Sequence, residues 1–458
     1  MTLEEALAEN ALLREKISRL ETLIVSLQEQ LRKNSQNSSK PPSSNPPSFQ
    51  RTPKPPTGKK PGAQKGHKGH KRDLFPAAQV DAFVSQVPSQ CEGCESPLVG
   101  EDPAPLQHQV VEIPPIKPLI TEYQLHKLSC QVCGKETRAS LPKGVSTSCF
   151  GPRLTAMIGL SVGRFRLSRR LVEELFQDFF GTKISLGSIS NIEKVLTAAL
   201  EKPVVAAREF AKKQAVGNAD ETGFRQKNVK SYLWVLVTHL VTVFQVWPNR
   251  NQAGAESLLG EIAERTIGSD RFSSYNYIAN KNRQLCLEHL KRDFVGLSEK
   301  AGEVGVLGLH LASDVKQVLK IHREYKEGAH QEGHYQMKME SHKKSIHKSL
   351  VACAELDQKK ASGMCREILK HEEAMWTFTK KPEVEPTNNG AERALRHAVI
   401  WRKLSFGSQS ERGSRFVERM LSVVASLRQQ KRNVLEWLTE AYQALLSKST
   451  PPSLLPTL

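Results

Sequence analysis

The chain has 458 residues and a formal net charge of +18, from 66 lysines and arginines against 48 acidic residues. Eight cysteines in this length are too few for a disulfide-stapled miniprotein, and no run approaches the ~18 apolar residues of a membrane span. We therefore expect a soluble, cytoplasmic chain of several domains with reduced thiols and no membrane partner. The excess of positive charge favours nucleic acid as the partner, and with it a nucleoid-associated location.

Residues 1–33 carry a heptad pattern. Leu13, Leu20 and Leu27 recur every seven residues. A second set lies four positions later in the same repeat and consists of Leu3, Asn10, Ile17, Ile24 and Leu31. β-Branched residues at one core position, leucine at the other and one core asparagine favour a parallel two-stranded coiled coil. The pattern predicts a homodimer or higher oligomer, with a helix packed on the chain's own body as the alternative.

Residues 34–72 form a basic linker rich in proline and serine. No acidic residue occurs between Glu29 and Asp73. Such a segment buries too little apolar surface to fold, so we predict a disordered tether. It is either a solvated linker or a DNA contact that acts through counterion release. The candidate DNA-binding residues of this segment are Lys59, Lys60, Lys65, Lys68, Lys71 and Arg72.

Residues 73–150 contain two CxxC pairs, Cys91/Cys94 and Cys130/Cys133, separated by 35 residues. The segment between them alternates and is β-branched, which predicts strands that bring the pairs together. Four thiolates at this spacing are typical of a closed, structural Zn²⁺ site in a ribbon-like module. A redox role for one pair is the weaker alternative.

Residues 151–213 have apolar positions at helical spacing, with a break at Gly181 and a second helix from about Ser188. This arrangement resembles a helix-turn-helix, whose second helix enters a major groove. Helix pairs of this kind are also common in purely structural bundles. A DNA-reading role and a structural role both remain open.

Residues 214–297 begin with the pattern of three strands, and Asp220 closes the first of them. Aspartate is a poor strand former and is costly to bury alone, so Asp220 is a candidate ligand for a cation. Asp270 follows a short polar segment and is the second candidate. Both belong to the first part of a predicted catalytic core.

Residues 382–458 form the second part of that core, with a helix that carries Glu392 and a C-terminal helix. Asn388 or Asn389 can cap the helix of Glu392. Two aspartates and one glutamate form a hard-oxygen site suited to Mg²⁺ or Mn²⁺. With two such ions, the site supports in-line phosphoryl displacement by a water or a 3′-hydroxyl.

Residues 298–381 are polar and helical in pattern, and we interpret them as a helical insertion that splits the core. Beyond Glu392 the sequence is rich in basic residues interleaved with aromatic ones. These basic residues are candidates to hold DNA phosphates beside the metal site. The candidates in this segment are Arg393, Arg396, Arg402 and Lys403.

Several of these stretches resemble the insertion-sequence-66 family of bacterial DDE transposases. The similar segments are ADETGFRQKNVKSYLWVLVT, SDRFSSYN, CLEHLKRDF and the long block that begins TNNGAERALRHAVIWRKLSFG. The heptad helix, the NSQNSSKPPSSN linker, the segment GAQKGHKGHKR and the paired CxxC motifs also match the family layout. The resemblance therefore extends over nearly the whole chain.

The resemblance implies an α/β catalytic core of ribonuclease-H-like fold with a helical insertion. This core would follow a coiled-coil helix, a small zinc-ribbon module and a helical domain. The resemblance also implies that Asp220, Asp270 and Glu392 are the catalytic ligands of two Mg²⁺ or Mn²⁺ ions. Cys286 and His289 match a C-x-x-H signature of several DDE families, which we interpret as a supporting pair and not as a zinc site. A buried cysteine and a hydrogen-bonded histidine without such a role are the alternative.

The predicted function is transposition of DNA, with cleavage at the ends of an insertion sequence and transfer of the 3′-hydroxyl ends to target DNA. The expected partners are the element ends, the target DNA and accessory proteins of the same element. A metal-dependent nuclease of the same fold and a catalytically inactive zinc-containing DNA-binding regulator are the alternatives.

Overall fold

The computed structural model describes residues 2–38, 45, 49, 62–63, 66–69 and 72–456. The chain divides into two compact units. The first comprises Met1–Phe49, Ile120–Asp178 and Thr182–Leu458, and the second comprises Gln50–Leu119 and Phe179–Gly181. Within the described ranges, every helix is too short or too polar to cross a membrane.

The second unit has little regular structure in its described part. It contains one short 3₁₀ turn, Ala77–Gln79, and an isolated bridge between Gln90 and Pro97. Phe75 and Gln109 are joined by two hydrogen bonds of 2.7 and 3.0 Å between the backbone of one and the side-chain amide of the other. Nearly all of its described side chains are exposed.

The first unit begins with helix α1 (Leu3–Arg32). The apolar side chains at its predicted heptad positions from Leu13 to Leu27 are 48–57% exposed. The described side chains of α1 therefore do not pack on the chain's own body, which was the alternative to a coiled coil. The two-stranded coiled coil itself stays a prediction.

A small hairpin of strands β1 (Lys127–Ser129) and β2 (Glu136–Arg138) follows, with the turn between them at the second CxxC pair. The prediction of strands between the two pairs is wrong except at Lys127–Ser129, which is the one strand of that interval. Pro114, Pro115 and Pro118 interrupt the β-branched run, and proline has no N–H to donate to a strand neighbour.

Four helices come next: α2 (Pro152–Gly163), α3 (Arg169–Phe180), α4 (Leu186–Ala199) and α5 (Glu201–Ala211). The Ser185 side chain caps α4 by accepting a hydrogen bond of 3.1 Å from the Ser188 N–H. The second helix of the predicted helix-turn-helix thus begins two residues earlier than expected.

A mixed five-stranded sheet forms the centre of the first unit. Its strands are β3 (Val216–Gln226), β4 (Val229–Val237), β5 (Thr242–Trp247), β6 (Thr266–Ser269) and β7 (Arg283–Leu285), with α6 (Gln252–Leu259) between β5 and β6. The strand order is β5-β4-β3-β6-β7, antiparallel from β5 to β3 and parallel from β3 to β7. Asp220 does not close the first strand as predicted, because β3 continues to Gln226 in a hairpin with β4.

The remaining helices lie after the sheet. They are α7 (Leu287–Ser298), α8 (Glu303–Lys326), α9 (Glu332–Glu355), α10 (Lys359–Lys370), α11 (Thr377–Lys380), α12 (Asn389–Ser405), α13 (Glu411–Gln429) and α14 (Val434–Ser447). Helices α7 to α10 share one apolar cluster that includes Phe294, Val315, Leu350 and Ile368. The segment interpreted as a helical insertion contains α8 to α11.

Helix α13 covers the free edge of the sheet at β5. The N–H groups of Thr242, Phe244 and Val246 donate to the side chains of Ser426, Ser422 and Glu418, respectively. The three helix residues are four positions apart and the three strand residues are two positions apart. Both steps advance about 6–7 Å along the chain axis, so donors and acceptors stay matched along the contact. An edge strand that would otherwise expose its N–H groups is therefore closed by side chains.

Candidate active site

Asp220 lies on β3, and Asp270 directly follows the neighbouring parallel strand β6. The register pairs Asn218 of β3 with Gly268 of β6, and each of these residues lies two positions before one of the aspartates. Adjacent strands are about 4.8 Å apart. The two predicted carboxylates therefore meet where β6 ends.

Glu221 is a third carboxylate at this position, and the sequence analysis missed it. Its side chain is fully buried and accepts hydrogen bonds from the Tyr275 hydroxyl at 2.6 Å and from Arg250 Nε at 2.7 Å. Arg250 also lies 4.0 Å from Asp270. Carboxylate oxygens of Asp220, Glu221 and Asp270 lie within 4.8 Å of one another.

Asn388 fixes the start of α12, the helix that carries Glu392 in its first turn. Asn388 is fully buried, and its Nδ2 donates to the Ala219 carbonyl at 2.8 Å. Its backbone N–H donates to Cys286 Sγ at 3.2 Å. Asn388 holds the predicted cap position, but its amide binds β3 beside Asp220 instead of capping the helix.

Cys286 and His289 lie against Glu392. His289 Nδ1 is 3.5 Å and Arg292 Nη2 is 3.4 Å from the same oxygen of Glu392. Burial raises the pKa of Cys286 to about 12, while burial and then the charge of Arg292 lower the pKa of His289. A neutral thiol and a neutral imidazole therefore lie near Glu392, and the role of Cys286 and His289 as a supporting pair stays a prediction.

The backbone of Asp270 is held by a buried arginine of β7. Arg283 donates from Nη2 to the Asp270 carbonyl at 2.8 Å and from Nε to Ser269 Oγ at 3.1 Å. Its third contact is to Asn276 at 2.9 Å, and burial lowers its pKa to about 10. The residue after Asp270 is Arg271, and its side chain forms ion pairs with carboxylates of α7 and α10.

Burial, and then repulsion between neighbouring carboxylates, disfavours the ionised forms of Asp220 and Glu221. Burial, followed by the charges of Glu221, Asp270 and Glu392, raises the pKa of Asp220 well above its usual range. Burial and the Asp270 charge raise the pKa of Glu221 to about 7, although Arg250 opposes the rise. A bound divalent cation relieves such repulsion, and oxygen donors are the ligands that Mg²⁺ and Mn²⁺ prefer. The residues present thus fit a hard divalent metal.

The structure separates the predicted triad into two adjoining groups. Asp220 and Asp270 lie with Glu221, whereas Glu392 lies with Cys286 and His289. The charge of Glu392 nevertheless acts on Asp220, so the two groups share one electrostatic environment.

The predicted basic residues after Glu392 have different surroundings. Arg393, Arg396 and Lys403 are exposed along α12. Arg402 is half-buried, and its Nη1 donates to the Gly223 carbonyl at 2.7 Å, which holds α12 against β3.

In the linker, Lys68 and Arg72 are exposed, and Arg72 lies over the Phe75 ring. The other linker candidates, Lys59, Lys60, Lys65 and Lys71, lie outside the described residues.

The two CxxC pairs form turns of the same geometry. Cys91 and Cys94 belong to the second unit, and Cys130 and Cys133 belong to the first. In each turn the first cysteine's carbonyl accepts a backbone hydrogen bond of 2.9 Å from the residue after the second cysteine. Those residues, Glu95 and Gly134, both have positive φ, at 59° and 71°.

Known protein families were compared with the chain. Residues 147–416, more than half of its length, match the family model described as "Transposase IS66 family". Residues 1–73 match a second model, described as a family of unknown function. No curated protein gave a match. Given the extent of the first match, the chain belongs to the IS66 family of transposases.

Proposed function

We propose that this chain is a DDE transposase that cuts DNA at the ends of an insertion sequence and transfers the 3′-hydroxyl ends to target DNA. The observation that carries the proposal is the meeting of Asp220 and Asp270 on adjacent parallel strands, with α12 tied to the same strand beside Asp220. Helix α12 carries Glu392 in its first turn. Membership of a transposase family also supports the proposal.

We infer that the core is ribonuclease-H-like. Three antiparallel strands followed by two parallel ones, with helices packed on them, support this inference. The first aspartate lies on the middle strand and the second at the end of its parallel neighbour. Helices α8 to α11 would then be an insertion before the glutamate helix.

Asp220, Asp270 and Glu392 would hold the divalent cations of the site. When bound, such ions activate a water or a 3′-hydroxyl and stabilise the oxygen that leaves phosphorus. Arg250 and Tyr275 keep Glu221 fixed by hydrogen bonds. Glu221 is therefore held beside Asp220 and Asp270 and is not free to turn toward solvent.

We also infer that each CxxC turn can supply two thiolates to a metal ion, as the Zn²⁺ predicted from the sequence requires. The turn geometry supports this inference, because each turn presents two sulfurs on one side of a short loop. Hydrogen bonds lower the pKa of Cys94, mainly through Ser96, and that of Cys130, mainly through the Cys133 N–H. A lowered pKa favours the thiolate that zinc binds.

The test is a cleavage and strand-transfer assay on DNA that carries the ends of the element. We expect nicked and joined products in Mg²⁺ or Mn²⁺ and none with Asp220→Asn, which removes a metal-ligand charge but preserves the side-chain shape. Asp178→Asn, at an exposed helical position, is the matched control and should leave both products unchanged.

Two outcomes would contradict the proposal. Cleavage without joined products would indicate a nuclease. DNA binding by the unaltered chain with no cleavage in either metal would indicate a regulator that lacks an active site.

A further inference from the structure

The connection between α2 and α3 presents two arginines on either side of an exposed phenylalanine. The N–H groups of Arg164 and Phe165 both donate to the Leu160 carbonyl, at 2.8 and 3.1 Å. Arg166 then adopts a positive φ of 61°, which a non-glycine side chain rarely does. The turn leaves Phe165 57% exposed and both arginines half-buried. Strain of this kind is concentrated at functional positions.

This connection touches the helix of the catalytic glutamate. Arg166 Nη1 lies 3.2 Å from His397 Nδ1 on α12. Arg396 is the preceding residue of that helix and lies one turn, about 6 Å, beyond Glu392. Arg428 of α13 is close enough to act on the charge of Arg164. The guanidinium groups of Arg164, Arg166 and Arg396 therefore gather around His397, on the helix that carries Glu392.

No described carboxylate neutralises these guanidinium groups. Arg164, Arg166, Arg396 and Arg428 form no ion pair with a described residue, although Arg415 and Arg419 of α13 do. Arg169, three residues after Arg166, pairs with Glu193 at 2.7 Å. The charges that act on His397 are all positive, and with burial they lower its pKa to about 4. His397 is therefore neutral and can accept from Arg166.

One of these arginines also has a hydrogen-bond donor without an acceptor in the part of the chain that the structure describes. Arg166 Nε is buried and finds no acceptor among the described residues. Repulsion among like charges and a buried donor without an acceptor both oppose folding. An anion with several acceptor oxygens would relieve both, and a guanidinium fork matches phosphate oxygens in a bidentate manner.

We propose that Arg164, Arg166 and Arg396 bind consecutive backbone phosphates of the DNA strand that enters the active site, while Phe165 stacks on a base of that strand. The proposal rests on the proposed function, since it supplies the path by which a strand reaches Glu392. Arg396 lies one helical turn beyond Glu392, so it would hold a phosphate close to the one opposite Glu392. Exposed aromatic side chains between cationic ones are typical of strand-binding surfaces.

The experiment measures binding of a short mixed-sequence duplex with an unpaired single-stranded end, without divalent metal, over a series of salt concentrations. In the Arg164→Gln/Arg166→Gln double variant, we expect weaker binding and a slope of log K against log salt reduced by about 2, one for each lost phosphate contact. Arg153→Gln is the matched control, because Arg153 is exposed at the opposite end of α2, about 16 Å away. It should bind as the unaltered chain does.

Thermal unfolding separates a ligand site from a structural one. Removal of mutually repelling charges should leave the melting temperature of the double variant unchanged or raise it, whereas a structural pair would lose stability. Phe165→Ala should weaken binding without a change in the salt slope. If the glutamine variant fails to fold, Arg164→Lys/Arg166→Lys keeps the charge and should keep most of the slope while weakening cleavage.

The two proposals fail in distinguishable ways. Binding and salt slope equal to those of the unaltered chain would overturn the arginine proposal, even if DNA cleavage is observed. Absence of cleavage in the unaltered chain would overturn the proposed function, while the binding measurement would still decide the arginine proposal.

Discussion

The buried amide of Asn388 joins α12, β3 and Cys286, and its loss should weaken catalysis from a distance. Asn388→Ala removes the donor to the Ala219 carbonyl and leaves that group without a partner, at a cost of about 1–3 kcal/mol of unfolding free energy. We expect cleavage to fall about 10- to 100-fold because Glu392 loses its fixed position. Denaturant unfolding and single-turnover cleavage measure the two effects.

The neighbouring asparagine provides the control for this prediction. Asn389 is exposed at the first position of α12, so Asn389→Ala should change neither stability nor cleavage by much. Equal effects of the two substitutions would show that the amide of Asn388 has no special part in the placement of Glu392.

His397 should make stability depend on pH. Its pKa is about 4 in the folded chain, lowered by burial and by Arg164, Arg166 and Arg396, and about 6.5 in an unfolded one. The unfolded chain therefore takes up a proton first as pH falls, and stability present above pH ~6.5 is lost toward pH ~4. His397→Gln should have a flatter pH dependence in thermal melts. His239→Gln, at an exposed position, should match the unaltered chain, and coincident curves for all three would contradict the prediction.

Glu221 shows why part of the site could not be predicted from sequence. Asp220 was identifiable because aspartate is a poor strand former and is costly to bury alone at the end of a predicted central strand. The role of Glu221 depends on Arg250 and Tyr275, which lie 29 and 54 positions away. No local pattern carries that information.

Polar side chains of α13 hold the edge strand β5 by accepting hydrogen bonds from its backbone N–H groups. Ser422→Ala removes the acceptor for the Phe244 N–H and should lower the unfolding free energy by about 1–3 kcal/mol. Ser341→Ala, at an exposed position of α9, should be neutral or slightly stabilising, because alanine has the higher helix propensity. Denaturant titrations of both variants measure the difference. A loss at Ser422 no larger than that at Ser341 would show that the edge is not held by this hydrogen bond.

The sequence of β6 is short and polar, which is little evidence for a buried strand. All four of its residues are nevertheless buried. The reason is that distant cations satisfy its hydroxyl groups. Thr266 accepts from Lys381 at 2.7 Å and Ser269 accepts from Arg283 at 3.1 Å. Helices with regular apolar spacing could be predicted, whereas a strand stabilised by long-range hydrogen bonds could not.

At the scale of the whole molecule, the basic residues behind the net charge of +18 differ in whether a carboxylate lies beside them. Many arginines of the first unit are neutralised by nearby carboxylates, such as Arg419 by Glu201 and Arg169 by Glu193. Arg164, Arg166 and Arg396 form no ion pair with a described residue, and they surround His397 on the helix that carries Glu392. Opposite charges in adjoining positions are suited to holding a polyanion next to a cation-dependent site.

The exposed apolar positions of α1 predict self-association of the whole chain. Ile17→Asp/Leu20→Asp places two charges in the expected seam and should give a monomer by sedimentation analysis. Leu12→Asp is the control, since Leu12 is equally exposed but lies outside the seam. A monomeric unaltered chain, or a dimer that survives the double substitution, would contradict the coiled-coil prediction.

The central claim is that Asp220, Asp270 and Glu392 bind the divalent metal on which cleavage depends. The most direct measurement is anomalous diffraction from crystals soaked in Mn²⁺. We predict an anomalous peak between Asp220 and Asp270, with oxygen ligands at about 2.1 Å and Glu392 within reach of the same or a neighbouring ion. Crystals of Asp220→Asn should lose the peak between the aspartates. A soaked crystal with no manganese at these carboxylates, or with manganese bound only elsewhere, would contradict the claim.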